Sequence, residues 1–231
     1  MTSTATEAKL AGDTDLAGFR SEATALLAHQ VPPEDVHWQL QPTPDLYSDA
    51  QPPQASRPRN VARAATAIVP ASFTRLCEFV VLHRDPARFA LLYRLLWRLV
   101  HEPGLRNDPL DDDIQQAQHM AHAVRRDIHK MKANLRLRKV RDPQGEELEV
   151  GWYEPAHHVV EAVAPWLAKR MVAPRWAIFT PQRSVRGDGG RLLFGPGVPA
   201  QEVPGPGASD ADWLACDQRV FAAGRRPAGG G

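Results

Sequence analysis

The sequence predicts an α+β fold: a helical N-terminal layer packed with a C-terminal antiparallel sheet that carries one or two helices. Two observations lead there. Up to about residue 134, apolar residues recur at alternating three- and four-residue steps, the period of helices. Beyond it, short alternating runs are separated by turn sequences such as DPQGE and RGDGG, the pattern of strands and hairpins. Helices first and strands later, without regular alternation, is the signature of α+β rather than α/β. At 231 residues the chain can bury a real core, as one domain or as two small ones sharing an interface.

Taken in order, residues 1–15 are polar and read as a disordered start. A helix is predicted from about Leu16 to Gln30, with Leu16, Phe19, Ala23, Leu26 and Leu27 on one side, and Pro32 and Pro33 end it. A Pro-rich loop follows over 41–60, then an extended piece near Val61 to Val69. Pro70 opens a helix bearing Phe73, Leu76, Cys77 and Val80. RDPARFALLYRLLWRLVHEPG makes the next, with Asp85 as cap, Pro86 in its first turn and a stop before Pro103. It is apolar on most sides, which suits the middle of a helical layer. The longest helix begins at the carboxylates of LDDD and carries Ile114, Ala117, Ala121, Val124, Ile128, Met131 and Leu135 as one buried stripe. A strand starts near Leu135, turns at DPQGE and returns as ELEVGWYE. A helix then runs from Pro155 to about Met171, and the strand RWAIFT pairs with RLLFG across RGDGG. Residues 16–200 are read as one α+β domain. A short helix, SDADWLACDQRVFA, and a disordered low-complexity tail fill 201–231.

Composition excludes several classes. The formal net charge is +1, so any grip on a polyanion must come from segregated charge. Two cysteines, Cys77 and Cys216, cannot complete a zinc ribbon or hold an iron–sulfur cluster, and no secreted disulfide scaffold is expected. No secretory signal is visible, and no apolar run approaches the roughly 20 residues that span a bilayer. FALLYRLLWRLV is broken by Arg94 and Arg98. The reading is a soluble cytoplasmic protein without membrane attachment. No GxSxG, P-loop or GxGxxG motif is present, and no cofactor is expected.

Segregated charge is found in RRDIHKMKANLRLRKV, residues 125–140, which holds seven Lys/Arg against one Asp. With the apolar stripe on one side, a step of about 100° per residue spreads Arg125, Arg126, His129, Lys130 and Lys132 over the other, with His119 and His122. Arg136 and Arg138 continue the charge onto one face of the following strand. These seven residues, 125, 126, 129, 130, 132, 136 and 138, are the candidate nucleic-acid contacts, because cations placed on phosphates release condensed counterions. The acids Asp127, Asp142, Glu146, Glu147 and Glu149 compete, since they can neutralise the same surface.

Four residues are candidates for chemistry. His157, His158 and Glu161 lie close in sequence where the helix after Glu154-Pro155 begins, and with His129 they are the acid/base candidates. His119 and His122 share a spacing that can meet a metal but lack the accompanying HExxH glutamate, so no metal site is assigned. Aromatic and basic residues adjoin at Trp152/Tyr153, Trp166/Lys169 and Arg175/Trp176, which suits base stacking but also an ordinary core.

The blocks VPPEDVHW, HRDPARFALLYRLLWRLVH, VRRDIHKMKANLRLRKV, WYEPAHHVVEAVAPWLAKRM and RWAIFTPQRSV, in this order, resemble a bacterial family of unknown function, DUF4130, over roughly Phe19 to Gly197. The resemblance implies a role in DNA repair or DNA metabolism. Members of that family occur beside a radical-SAM protein, and others are fused ahead of a uracil-DNA glycosylase of the iron–sulfur type. It implies no particular reaction or catalytic residue. This chain departs from the family where Asn134, Leu135 and Leu137 replace aromatics after HKM, and in its last helix. With two cysteines and no glycosylase domain after residue 231, uracil excision by the chain itself is not expected. Three functions are therefore carried forward. The first is a DNA-repair accessory protein that binds DNA backbone and acts with a radical-SAM or glycosylase-type partner. The second is an enzyme acting on damaged DNA or a nucleotide, and the third a protein-interaction adaptor.

Overall fold

Six α-helices and seven β-strands form among the residues described by the computed structural model, 6–41, 69–205 and 207–221. The expected Pro-rich loop, apart from Gln41, the extended piece before Val69 and the glycine-rich tail lie outside the described residues. No helix among those described is long and apolar enough to cross a membrane. The described residues group into two compact units, divided between Arg126 and Asp127.

The first unit opens with a correction. Thr6–Leu10 is not a frayed start but a strand, β1, paired in parallel with β2 at Val36–Leu40. Between them lies α1, Leu16–Ala28, capped by Asp15, whose Oδ1 accepts from the Gly18 amide at 2.8 Å. Strands are thus not confined to the C-terminal half. The polar composition of TEAKL hides one buried face, since Ala8 and Leu10 are wholly enclosed while their neighbours are not. Parallel pairing with a strand beyond the helix leaves no local turn signal to betray it.

Helices α2, Ala71–Val80, and α3, Arg88–His101, follow. Asp85 caps the turn before α3 by accepting at Oδ1 from the Ala87 amide (2.9 Å), and the helix proper starts at Arg88. As its sequence predicts, α3 is buried on most sides, through Phe89, Leu91, Leu92, Tyr93, Leu95, Leu96 and Leu99. Phe19, Trp38 and Phe89 form an aromatic cluster with ring centroids 5.2–6.1 Å apart. Arg88 is fully enclosed, yet its donors are met by Val81 O (2.8 Å), Asp85 O (3.0 Å), Asp13 O (2.7 Å) and Asp13 Oδ1 (3.2 Å). A buried charge is tolerated only when hydrogen-bonded in this way.

Helix α4, Asp112–Asn134, begins as LDDD predicts: Asp111 Oδ1 accepts from the amides of Asp113 (3.0 Å) and Ile114 (3.1 Å). It continues to Asn134, so the next strand starts at Arg138 and not near Leu135.

The second unit is built on a five-stranded sheet, in the order β3 (Arg138–Arg141), β4 (Glu147–Trp152), β5 (Arg175–Phe179), β6 (Arg183–Asp188) and β7 (Arg191–Pro196). Its neighbours are antiparallel except β4 and β5, which run parallel because α5, Val160–Arg170, crosses between them. The sheet is therefore mostly, not wholly, antiparallel. A second correction concerns RWAIFT: its hairpin partner is β6, and RLLFG pairs with β6 in turn. The expected turn RGDGG begins inside this strand, and Ser184 to Gly187 are buried. Gly187 is required there, since a Cβ would fall 2.2 Å from the Trp176 indole. A third is that α5 starts at Val160, which leaves His157 and His158 in the turn before it. One face of the sheet is covered by α6, Asp210–Phe221, through Trp213, Val220 and Phe221 against Val150, Ala177 and Phe179.

Candidate nucleic-acid interface

The outward side of α4 is exposed where the sequence places it. Ala117, Met120, Ala121, Val124 and Met131 are buried. Arg125, Arg126, His129 and Lys130 are exposed, as are His119 and His122. Arg136 is exposed in the segment that leaves the helix, while Lys132 is half-buried. Two of these cations rest on rings. The Arg125 guanidinium lies 4.2 Å from the Phe79 centroid, and Lys132 Nζ lies 5.2 Å from that of Trp166, itself 37% exposed. Trp176, by contrast, is core.

Of the acids that compete for this surface, Asp127, Asp142, Glu146 and Glu147 are engaged elsewhere. Glu147 pairs with Lys139 (3.3 Å) and Arg141 (3.0 Å), whose hydrogen bonds hold its carboxyl below the ordinary range. Asp142 and Glu146 both take Arg175, at 3.2 and 2.6 Å. Glu149 stands opposite Lys139 in the ladder, not opposite Arg136. Among the described residues, Arg126, Lys130 and Arg136 make no salt bridge. Arg138 is different. Its guanidinium donates to Ala208 O (2.7 Å) and Asp210 Oδ1 (2.9 Å), tying β3 to the segment entering α6.

The histidine candidates fall on two different segments, His129 on α4 and His157 with His158 in the turn before α5. Asp127, buried at 5% exposure, accepts at Oδ2 from the His157 backbone amide (2.9 Å). This places the turn before α5 against the Asp127 side of α4. His129, two residues further and so about 200° round the helix, is exposed on the other side. His157 is buried, His158 is half-buried, and Glu161 pairs with Arg183 Nε at 2.8 Å. Tyr153 belongs to the Asp127 neighbourhood, its hydroxyl pushed up by burial and secondarily by the Asp127 charge. Sequence reasoning counted Asp127 only as a neutralising acid. The available signal was its spacing, three residues after Val124 and four before Met131, which puts a carboxylate inside the buried stripe.

Both cysteines are buried free thiols, that of Cys77 pushed up to about 12 by its burial. Among the described residues no group of three or more His, Cys, Asp or Glu is placed to share a metal ion.

Comparison with known proteins gives one match. Residues 86–188 fit the family model of DUF4130, a domain of unknown function. No curated protein and no solved structure matches the chain. The match takes in α3, the outward basic side of α4, the Asp127–His157 bond and the strands to β6. Over these residues the chain is similar to the DUF4130 family.

Proposed function

We propose that this protein is a cytoplasmic accessory component of DNA repair that grips DNA backbone with the outward side of α4. The observation that carries the reading is the set Arg126, Lys130 and Arg136. All three are exposed, and none is paired with a carboxylate among the described residues. Cations already neutralised by acids release few DNA counterions on binding, whereas free ones release about 0.9 per phosphate. Arg125 and Lys132 add charge already steadied on aromatic rings, and His129 adds a donor on the same side. The resemblance to a family linked with DNA repair supplies the choice of polyanion and the class of partner, a radical-SAM or uracil-DNA glycosylase-type protein.

The test is equilibrium binding of a fluorescent DNA duplex over a series of salt concentrations. Replacing Arg126, Lys130 and Arg136 together by Ala should weaken binding at least tenfold and flatten the salt slope by roughly two to three units. Binding that is undetectable at low salt, or unchanged in the triple variant, refutes the reading and leaves an adaptor for acidic protein.

A second reading has one specific observation behind it. Asp127, Tyr153 and His157 gather buried or half-buried titratable groups in one place, as acid/base sites do. It makes the protein an enzyme on damaged DNA or a nucleotide, with Asp127 in place of His129. Turnover of such a substrate that disappears in Asp127→Asn, with the fold intact by circular dichroism, would establish it.

A further inference from the structure

On the second unit, a groove of about 470 Å³ opens where the segment leaving α4 crosses β4. Its volume is that of a small-molecule site. Val150, Gly151, Val203 and Pro204 line it with two indoles, the half-buried Trp152 and Trp213, which is 7% exposed. Arg136 and Arg138 stand at its edge.

Three features give this groove a chemistry. First, it carries one uncommitted cation. Arg138 is consumed by Asp210 and Ala208 O, whereas Arg136 is exposed with no carboxylate partner among the described residues. Second, Arg136 is held in place by its backbone. A Cβ on Gly151 would lie 2.6 Å from the Arg136 carbonyl oxygen, so only glycine lets this segment cross β4 so closely. Third, the indoles differ in their polar ends. Trp152 Nε1 donates to Val198 O at 3.3 Å, while the buried Nε1–H of Trp213 has no acceptor among the described residues.

We propose that this groove receives one unstacked nucleotide of a single DNA strand, its base against the indole surface and its phosphate on Arg136. A nucleobase supplies a flat π-face and carbonyl or ring-nitrogen acceptors, and the attached phosphate supplies the negative charge that Arg136 lacks. Aromatic surface beside a cation is how single strands are held without dependence on sequence. The identity of the strand rests on the DNA reading above. The groove itself does not, since every residue that forms it lies off α4 and Arg136 alone is shared with the backbone grip.

The experiment titrates the full chain with thymidine monophosphate and, separately, with a short oligothymidylate, following tryptophan fluorescence. Saturable quenching by both is expected, with the oligonucleotide at least tenfold tighter. No quenching by either overturns the groove, and equal affinities make it a free-nucleotide site and overturn the assignment to a strand. Val203→Phe should fill the groove and abolish quenching, while Arg136→Gln should weaken the monophosphate at least tenfold. Should Val203→Phe fail to fold, the exposed Arg136→Gln decides alone, and unchanged affinity there defeats the proposal. Arg126→Ala with Lys130→Ala separates the two readings: it should weaken duplex binding and leave the monophosphate untouched. Nucleotide binding without any duplex binding would sink the backbone grip and leave the groove standing.

Discussion

Two helices of this chain use basic side chains in opposite ways. On α3, Arg98 is gripped by Glu102 (3.1 Å), Asp111 (2.8 Å) and Asp113 (3.0 Å), and Arg94 also binds Asp113. On the outward side of α4, Arg126 and Lys130 have no such partner among the described residues. Both helices look basic in sequence, so the difference lies in where the acids fall. Asp111, which caps α4, and Asp113 in its first turn are also the partners of α3, and they fasten α3 to the start of α4. The acids nearest the outward side of α4 in sequence turn inward, as Asp127 does, or pair within the β-hairpin, as Glu147 does. The paired arginines of α3 serve the fold, and the proposed DNA contact draws on those of α4 that are not so paired.

The largest expected effect comes from the most committed arginine. Arg88→Met should cost about 3–5 kcal/mol, because it leaves the Asp13, Val81 and Asp85 acceptors without their donor in a buried site. Urea denaturation measures it, and a loss below about 1 kcal/mol would put Arg88 among ordinary surface pairs. Next comes Asp127→Ala, which strips the acceptor from the His157 amide and should cost about 1–3 kcal/mol while leaving duplex affinity unchanged. A fall in affinity would mean that Asp127 does more than position the turn before α5.

The α3 network makes a smaller, pH-dependent prediction. Hydrogen bonds from Arg94 hold the Asp113 carboxyl below its ordinary value of 3.8, and those from Arg98 do the same for Asp111. A depressed carboxyl contributes stability that is fully present above the unfolded value and is lost as pH falls through the folded one. Thermal melts at about pH 5.5 and about pH 2.5 should show a larger acid-induced drop in Tm for the wild type than for Asp113→Asn. Equal drops would mean that the Asp113 carboxylate contributes nothing to this dependence.

What was legible in the sequence follows the same division between local and distant causes. The cap at Asp111, the buried stripe of α4 and the turn after β3 depend on near neighbours, and each was readable from spacing. The turn illustrates this: Asp142 Oδ1 accepts from the amides of Gln144 and Glu146, and Gly145 takes φ +84°. Strands β1 and β6 were missed because their burial is decided by partners elsewhere, Val36–Leu40 for β1 and β5 with β7 for β6. The exposure of the basic side of α4 was legible, but its freedom from acids was not. The commitment of Arg138 depends on Asp210, far along the chain, and no local pattern announces it.

The smallest effect on the fold tests the comparison most directly. Arg126→Gln combined with Lys130→Gln removes two exposed cations that bear on no packing the fold needs, so stability should stay within about 0.5 kcal/mol of the wild type. Arg94→Gln with Arg98→Gln removes the same number of charges from α3 but breaks the ion pairs with Asp111 and Asp113, and stability should fall measurably further. Duplex binding should show the reverse order. The α4 pair should lower affinity and flatten the salt slope by about two units, and the α3 pair should change neither beyond the loss of general charge. If both double variants weaken DNA equally, affinity follows net charge alone, and the uncommitted face of α4 is not where the backbone lies.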